Sequence, residues 1–128
     1  MQKLKTHLEI DTTLSGKVVA LESGYARVVL HTTNAMRAYK FGLVHGGFIF
    51  SAADFAAMSA VNDENVVLGS ANVKFVAPVT VSQVVVLEAK VKEAKGKKRV
   101  VDVVGKVEDK EVFRGEFVCF VLEKYVLG

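Results

Sequence analysis

The sequence predicts an α+β fold in which one long buried helix is wrapped by a curved antiparallel sheet of about five to six strands. Three observations support this prediction. Residues 46–62 carry apolar side chains on every helical face, strand-like runs lie on both sides of this segment, and the last runs are joined by short turns. Consecutive strands with short connections indicate an antiparallel meander.

The composition is typical of one globular domain. The chain has 128 residues, of which 51% are hydrophobic, and we expect residues 1–128 to form a single domain with residues 1–14 as an N-terminal arm. A net charge of +3 gives no indication of nucleic-acid binding. The single cysteine, Cys119, is expected to be a buried thiol in a reducing compartment. No signal peptide or membrane span is recognisable, so we expect a soluble cytoplasmic protein.

Two strands are predicted before the helix. The runs 16–22 and 25–32 are rich in β-branched residues, and Ser23-Gly24 between them indicates a tight hairpin. Residues 33–44 form a loop with one helical turn near 34–38. The loop leads directly into the central helix.

The central helix begins at the pair Gly46-Gly47 and contains one carboxylate, Asp54. Its apolar residues fall on every side, so we expect it to be buried all round. An unpaired buried charge is costly, so Asp54 requires either an ion-pair partner, such as Arg27 or Arg37, or a function.

Four strands are predicted after the helix. The turn 62–65 precedes a strand that ends at Pro78, and three meander strands follow. One sheet covers only one side of a helix. A second copy of the chain is therefore expected to cover the other side, which predicts a homodimer, with a dimer of dimers (homotetramer) as a further possible assembly.

The segment from Gly42 to Ala56 reads G-L-V-H-G-G-F-I-F-S-A-A-D-F-A. It resembles the H-G-G-x-x-x-x-x-A-D-x-A motif of acyl-CoA thioesterases of the phenylacetate-degradation type, which have the hotdog fold. Phe75-Val76-Ala77-Pro78-Val79 is similar to the F-x-x-P element of the same family. The resemblance covers the chain from Gly16 onward.

The resemblance implies a role for three residues. Asp54 matches the carboxylate that either attacks the thioester carbonyl or activates the hydrolytic water. Gly46 matches the backbone N–H that donates to the carbonyl oxygen, and His45 orients that turn. In such enzymes the two halves of the site come from different subunits.

The chemistry of these residue types agrees with those roles. The start of a helix has free N–H groups and a positive dipole end, which stabilise an oxyanion, and Gly46 and Gly47 let a substrate approach the backbone. Asp54 in an apolar helix is desolvated, which makes a carboxylate more reactive. The eight residues that separate Asp54 from Gly46 span about 12 Å of helix.

Further candidate substrate-binding residues are less specific. Tyr39 stands where related enzymes often carry an asparagine close to the thioester, Ser70 follows the helix in the next strand, and Phe50 could line an acyl pocket. Lys97 and Arg99 belong to a basic turn that could meet the phosphates of coenzyme A, although such a turn is more often a solvated sheet edge. Arg27 and Arg37 are alternatives for this contact.

The sequence leaves two alternatives to an acyl-CoA thioesterase. Hotdog domains also occur as acyl-CoA-binding sensors without turnover, and as hydratases or dehydratases, whose catalytic histidine lies in an H-F-P context that His45 lacks. No metal-binding spacing, nucleophile elbow or phosphate-binding glycine loop is present, so neither a metal nor an organic cofactor is expected.

Overall fold

The computed structural model describes residues 1–128. Six strands form one antiparallel sheet in the order β1-β2-β4-β5-β6-β3, and one long helix packs on it. This arrangement confirms the predicted α+β hotdog architecture. The elements are α1 (Thr12–Ser15), β1 (Lys17–Glu22), β2 (Tyr25–His31), a 3-10 turn (Asn34–Met36), α2 (Gly46–Val61), β3 (Val66–Phe75), β4 (Val84–Lys95), β5 (Lys98–Val107) and β6 (Lys110–Val121).

The strand order separates β3 from the strands that precede the helix. β4, β5 and β6 form the predicted meander, whereas β3 pairs with β6 at the far edge of the sheet from β1. Val66 pairs with Val121 at one end of β3, and Phe75 pairs with Phe113 at the other. Because α2 leads into Val66 and begins beside Phe75, helix and strand run antiparallel.

Helix α2 has the predicted start and length. His45 is extended and precedes the first helical residue, and Asn62 ends the helix in the left-handed conformation with φ of 52°. The helix packs chiefly over β2, β4 and β5. Phe55 and Phe117 are among the largest side chains in the resulting core, and both are fully buried.

The expectation that α2 is buried all round does not hold for one chain. Gly47 is exposed, and Phe50 and Asp54 are only partly buried on the same side of the helix. One side of α2 stays open because the helix lies over the middle of the sheet and does not cover β3 at its edge. The inner face of β3 is therefore uncovered, and Leu68 and Phe75 on this face are exposed.

The N-terminal residues run along the edge strand and over α2. The backbone N–H of Gln2 donates to the carbonyl oxygen of Leu21 in β1, at 2.9 Å. The side chain of Asn62 then bonds the backbone of Lys3 and Lys5, at 2.9 and 2.8 Å. These contacts hold the arm against the C-terminal end of the helix.

The connection between β3 and β4 differs from its predicted course. β3 ends at Phe75 rather than at Pro78, and β4 begins at Val84. Residues 79–81 instead bond the loop before α2, where the N–H of Val44 donates to Val79 and the N–H of Val81 donates to Gly42, each at 2.8 Å. This connection therefore packs beside the start of the helix.

None of the helices combines the length and hydropathy needed to span a bilayer.

Candidate active site

The N-terminus of α2 presents free hydrogen-bond donors. The N–H groups of Gly46 and Gly47 have no acceptor in the chain, and the side chain of His45 makes no capping hydrogen bond. These N–H groups lie at the positive end of a helix of 16 residues. The turn can therefore bind an oxygen that carries negative charge.

Side chains close to this turn leave little room for a Cβ atom at either glycine. A Cβ atom on Gly46 would lie 3.2 Å from the ring of Phe75, and one on Gly47 would lie 2.8 Å from Nε2 of His45. The His45 ring also packs edge-to-face against Phe48, with 6.0 Å between centroids. His45 thus lies over the first turn, in agreement with an orienting role.

An apolar cavity of about 320 Å³ adjoins Gly46. Strand β3, the connection that follows it, the loop before α2 and the helix itself contribute to its wall. Its lining residues are Leu43, Val44, Gly46, Ile49, Phe75, Val76, Ala77, Pro78, Val79 and Val112. No charged side chain lines it, so the cavity suits an apolar group.

Asp54 lies in the middle of α2 without an ionic partner. Its Oδ1 atom is buried and has no hydrogen-bond partner, and burial raises the pKa of the carboxyl from 3.8 to about 6. Neither predicted arginine contacts it, because Arg37 donates to the carbonyl oxygen of Lys40 and Arg27 is exposed on β2. The ion-pair alternative is therefore excluded within the chain, and the carboxylate is available for chemistry.

Cys119 is the buried free thiol that the sequence predicts. Burial raises its pKa to about 12, and the negative charge of Asp54 adds to this increase. The thiol is therefore protonated at neutral pH and is a poor nucleophile. We assign it a packing role on β6.

Asp54 and Gly46 of one chain are too far apart to act on one carbonyl group. Eight residues of helix separate them by about 12 Å. Gly47, Phe50 and Asp54 share the open side of α2, and the Phe50 ring packs on Phe117 with 5.5 Å between centroids. A single chain thus does not bring Asp54 and Gly46 together.

Ser70 lies on the outer face of the sheet, away from α2. Gly69 forms a β-bulge, so that Leu68 pairs with Cys119 on the inner face while Ser70 pairs with Val118 on the outer face. A bulge of one residue reverses the face of the residues after it. Within the chain, Ser70 is therefore not brought next to Asp54.

The basic turn lies at the opposite end of the molecule from Gly46. Lys97 accepts a backbone hydrogen bond from Val121 and pairs with Glu123 at 3.7 Å, close to the C-terminal end of α2. Arg99 donates to the carbonyl oxygen of Gly96 at 2.7 Å. Tyr39, by contrast, lies in the loop that enters the helix and is exposed.

Sequence reasoning did not identify most of the cavity wall. Val76 lies in the connection after β3 and Val112 lies in β6, and only the fold brings both residues close to Gly46. The F-x-x-P element from Phe75 to Pro78 was a usable signal, because all four of its residues line the cavity.

The sequence model of the thioesterase superfamily matches residues 41–113. The chain belongs to this superfamily. The matched residues include both helix-terminal glycines, Asp54 and the F-x-x-P element. The acyl-CoA thioesterase resemblance recognised in the motif is confirmed at the level of the superfamily.

The curated relatives are longer proteins with different names. A protein of Aquifex aeolicus named methylthioribose-1-phosphate isomerase is 53% identical over 98% of this chain, which corresponds to 28% of that protein. A Thermoanaerobacter protein named transcription factor FapR is 35% identical over 88% of this chain and 57% of its own length. The chain therefore spans between about a quarter and just over half of these relatives.

Solved structures share the architecture over nearly the whole chain. An uncharacterised protein of Pyrococcus horikoshii is 46% identical with a TM-score of 0.98, covering 99% of this chain and 98% of that one. The PaaI protein of the phenylacetic acid degradation operon of Escherichia coli is 22% identical with a TM-score of 0.80, covering 88% and 83%. A Streptococcus pneumoniae structure described as a hypothetical thioesterase with coenzyme A is 16% identical with a TM-score of 0.77, covering 85% and 87%. At 22% and 16% identity, the similarities to the Escherichia coli and Streptococcus pneumoniae structures show a shared fold only.

Proposed function

We propose that this protein is an acyl-CoA thioesterase that hydrolyses an acyl thioester to a carboxylic acid and free coenzyme A. The observation that carries the proposal is the carboxyl of Asp54, whose Oδ1 atom is buried without a hydrogen-bond partner and whose pKa is raised to about 6. Such a group is ionised at neutral pH yet poorly solvated, as a nucleophile or general base requires.

The turn at Gly46 supplies the second part of the site. Its N–H groups bind the thioester oxygen as it becomes an oxyanion, and the adjoining apolar cavity holds the acyl group. His45 keeps the turn in place through its contact with Gly47. In the general-base route, water adds to the carbonyl carbon as Asp54 accepts its proton. Collapse of the intermediate then breaks the C–S bond, and the departing sulfur takes the proton from Asp54 and leaves as the thiol.

Two copies of the chain complete the site. The helix face that carries Asp54 and the inner face of β3 are both open, and they are apolar apart from the carboxylate. A homodimer that covers these faces places Asp54 of one protomer near Gly46 of its partner, which removes the separation of about 12 Å within one chain. We propose this dimer, cytoplasmic and free of cofactors, as the active unit.

The test is an assay of free thiol release with wild type and Asp54→Asn on short, medium and aryl acyl-CoAs. We expect turnover of at least one substrate by wild type and a loss of about 100-fold or more in the variant. Wild type that binds these thioesters without releasing thiol would refute the proposed enzyme. Asp109→Asn, which neutralises an exposed carboxylate, is the matched control.

A single turnover in ¹⁸O-labelled water distinguishes activation of water by Asp54 from attack by Asp54 followed by hydrolysis at its own carboxyl carbon. If Asp54 activates water, the first product acid carries one ¹⁸O atom. If Asp54 attacks and its own carboxyl is then hydrolysed, the first product carries the unlabelled oxygen of Asp54.

An acyl-CoA-binding sensor is the second candidate function. The observation that favours it is the name transcription factor FapR, carried by relatives that are 35% identical to this chain. A sensor would bind an acyl-CoA with a measurable dissociation constant and release no thiol, so the same assay combined with calorimetry distinguishes the two functions.

A further inference from the structure

The loop that enters α2 projects two aromatic side chains into solvent. Tyr39 is 67% exposed and Phe41 is 87% exposed. We call residues 37–42 the aromatic knuckle. Aromatic side chains that lie together on a surface are enriched where a protein binds a partner.

The aromatic knuckle is a structured turn. The N–H of Ala38 donates to the carbonyl oxygen of Leu43 at 2.8 Å, and the N–H of Gly42 donates to that of Tyr39 at 3.0 Å. Gly42 adopts a φ of 83°, which favours glycine, and its carbonyl oxygen accepts from Val81 at 2.8 Å. The aromatic groups are thus presented on a fixed backbone, which lowers the entropic cost of binding.

The charge around the aromatic knuckle is positive. Arg37 and Lys40 belong to it, and the Nζ atom of Lys40 lies 5.4 Å above the Phe41 ring. No aspartate or glutamate occurs between Glu22 and Asp54. A ligand that combines a flat aromatic face with negative charge therefore fits this surface better than an apolar face of a second chain.

The position of the aromatic knuckle relates it to the proposed active site. Leu43, which directly follows it, lines the cavity beside Gly46. The basic turn that sequence analysis associated with phosphate lies at the other end of α2, and its Lys97 is already paired with Glu123. The aromatic knuckle is thus a cationic surface that adjoins the cavity beside Gly46.

We propose that the aromatic knuckle binds the adenine nucleotide of coenzyme A. The adenine ring stacks on Phe41 or Tyr39, and the phosphates contact Arg37 and Lys40. The proposal rests on the proposed function in that the thioester lies at Gly46. It also names the carrier, because the phosphopantetheine of an acyl carrier protein has no adenine ring.

The experiment compares acyl-CoA with the matching acyl-pantetheine, which lacks the nucleotide. The readout is the ratio of the two kcat/KM values for wild type, Phe41→Ala and Lys40→Ala. We expect each substitution to lower this ratio at least about fivefold, mainly through KM for acyl-CoA, since one base–aromatic stack or charged contact is lost. Tyr125→Ala removes another aromatic side chain, 59% exposed, and is the control that keeps the wild-type ratio.

A second measurement does not depend on hydrolysis. Calorimetric titration with coenzyme A and with adenosine 3′,5′-bisphosphate should show weaker binding to Phe41→Ala and Lys40→Ala than to wild type. If thiol release is absent but this binding pattern is found, the proposed function fails while the nucleotide site stands.

Three outcomes would overturn the nucleotide site. The first is an unchanged kcat/KM ratio in both knuckle variants. The second is a ratio that falls in Lys97→Ala instead, which would assign the nucleotide to the basic turn. The third is conversion of Phe41→Ala to a monomer in light scattering, which would identify the aromatic knuckle as an interface between copies of this chain.

Discussion

Replacing Asp54 by asparagine is expected to stabilise the protein at alkaline pH while it removes activity. Burial raises the pKa of this carboxyl from 3.8 to about 6. The unfolded chain therefore binds fewer protons than the folded protein between these two values, and stability falls as the pH rises through this window. At pH 8 the Asp54 carboxyl is almost fully ionised in both the folded and the unfolded protein.

The magnitude follows from the difference between the two pKa values. At about 1.4 kcal/mol for each factor of ten, a difference of about 2 corresponds to roughly 2 to 3 kcal/mol at pH 8. Asparagine has nearly the same shape and no charge. The variant should thus exceed wild type in free energy of unfolding by about this amount at pH 8, and by about 0.5 kcal/mol near pH 4.

Urea denaturation at pH values from 4 to 8 measures the effect, with Asp109→Asn as the control for loss of an exposed carboxylate. A difference between Asp54→Asn and wild type that is constant across this range would refute the argument, because it would mean that folding does not perturb the carboxyl. Destabilisation at pH 8 would refute it as well, since it would indicate that the carboxylate has a favourable partner.

Four further predictions concern the proposed active site. The value of kcat/KM should rise with pH through about 6, because Asp54 acts in its ionised form, and a profile that is flat from pH 5 to 8 would contradict this role. Gly46→Ala places a Cβ atom 3.2 Å from the Phe75 ring and should lower kcat about tenfold or more because it crowds the thioester, with a change in unfolding free energy below about 1 kcal/mol; unaltered kcat would show that the substrate does not pack against Gly46. Val76→Phe narrows the cavity and should shift the preference about tenfold toward shorter acyl groups, as a substrate panel will show. Ala71→Lys puts a charge on the open inner face of β3 and should yield folded, inactive monomers in light scattering; an active dimer would refute the proposed interface.

Local sequence signals were sufficient for most elements and insufficient for how they assemble. The start of α2 at Gly46 followed from the glycine pair and the apolar run after it, and the hairpin at Ser23-Gly24 followed from its turn residues. The pairing of β3 with β6 depends on contacts between distant residues, which no local pattern encodes. The same limit explains why the cavity wall was not predicted.

The candidate site was predicted for its central residues and not for its periphery. The desolvation of Asp54 followed from the apolar helix around it, because the neighbouring positions are apolar or small, but its partial exposure on the open side of α2 did not. The face of Ser70 could not be read from the sequence, since the bulge at Gly69 shifts the register by one residue. The location of Lys97 at the far end of α2 depends in turn on the direction in which β4 and β5 cross the helix.

The hydrogen-bond donors at Gly46 and Gly47 are backbone N–H groups, and this limits which mutations can reveal their function. These donors belong to the main chain, so truncating side chains one at a time leaves them intact. An alanine scan of this loop and helix would register Asp54 and pass over the oxyanion-binding half of the proposed site. Only substitutions that add bulk at the two glycines, or an amide-to-ester replacement of the backbone, can probe that half directly.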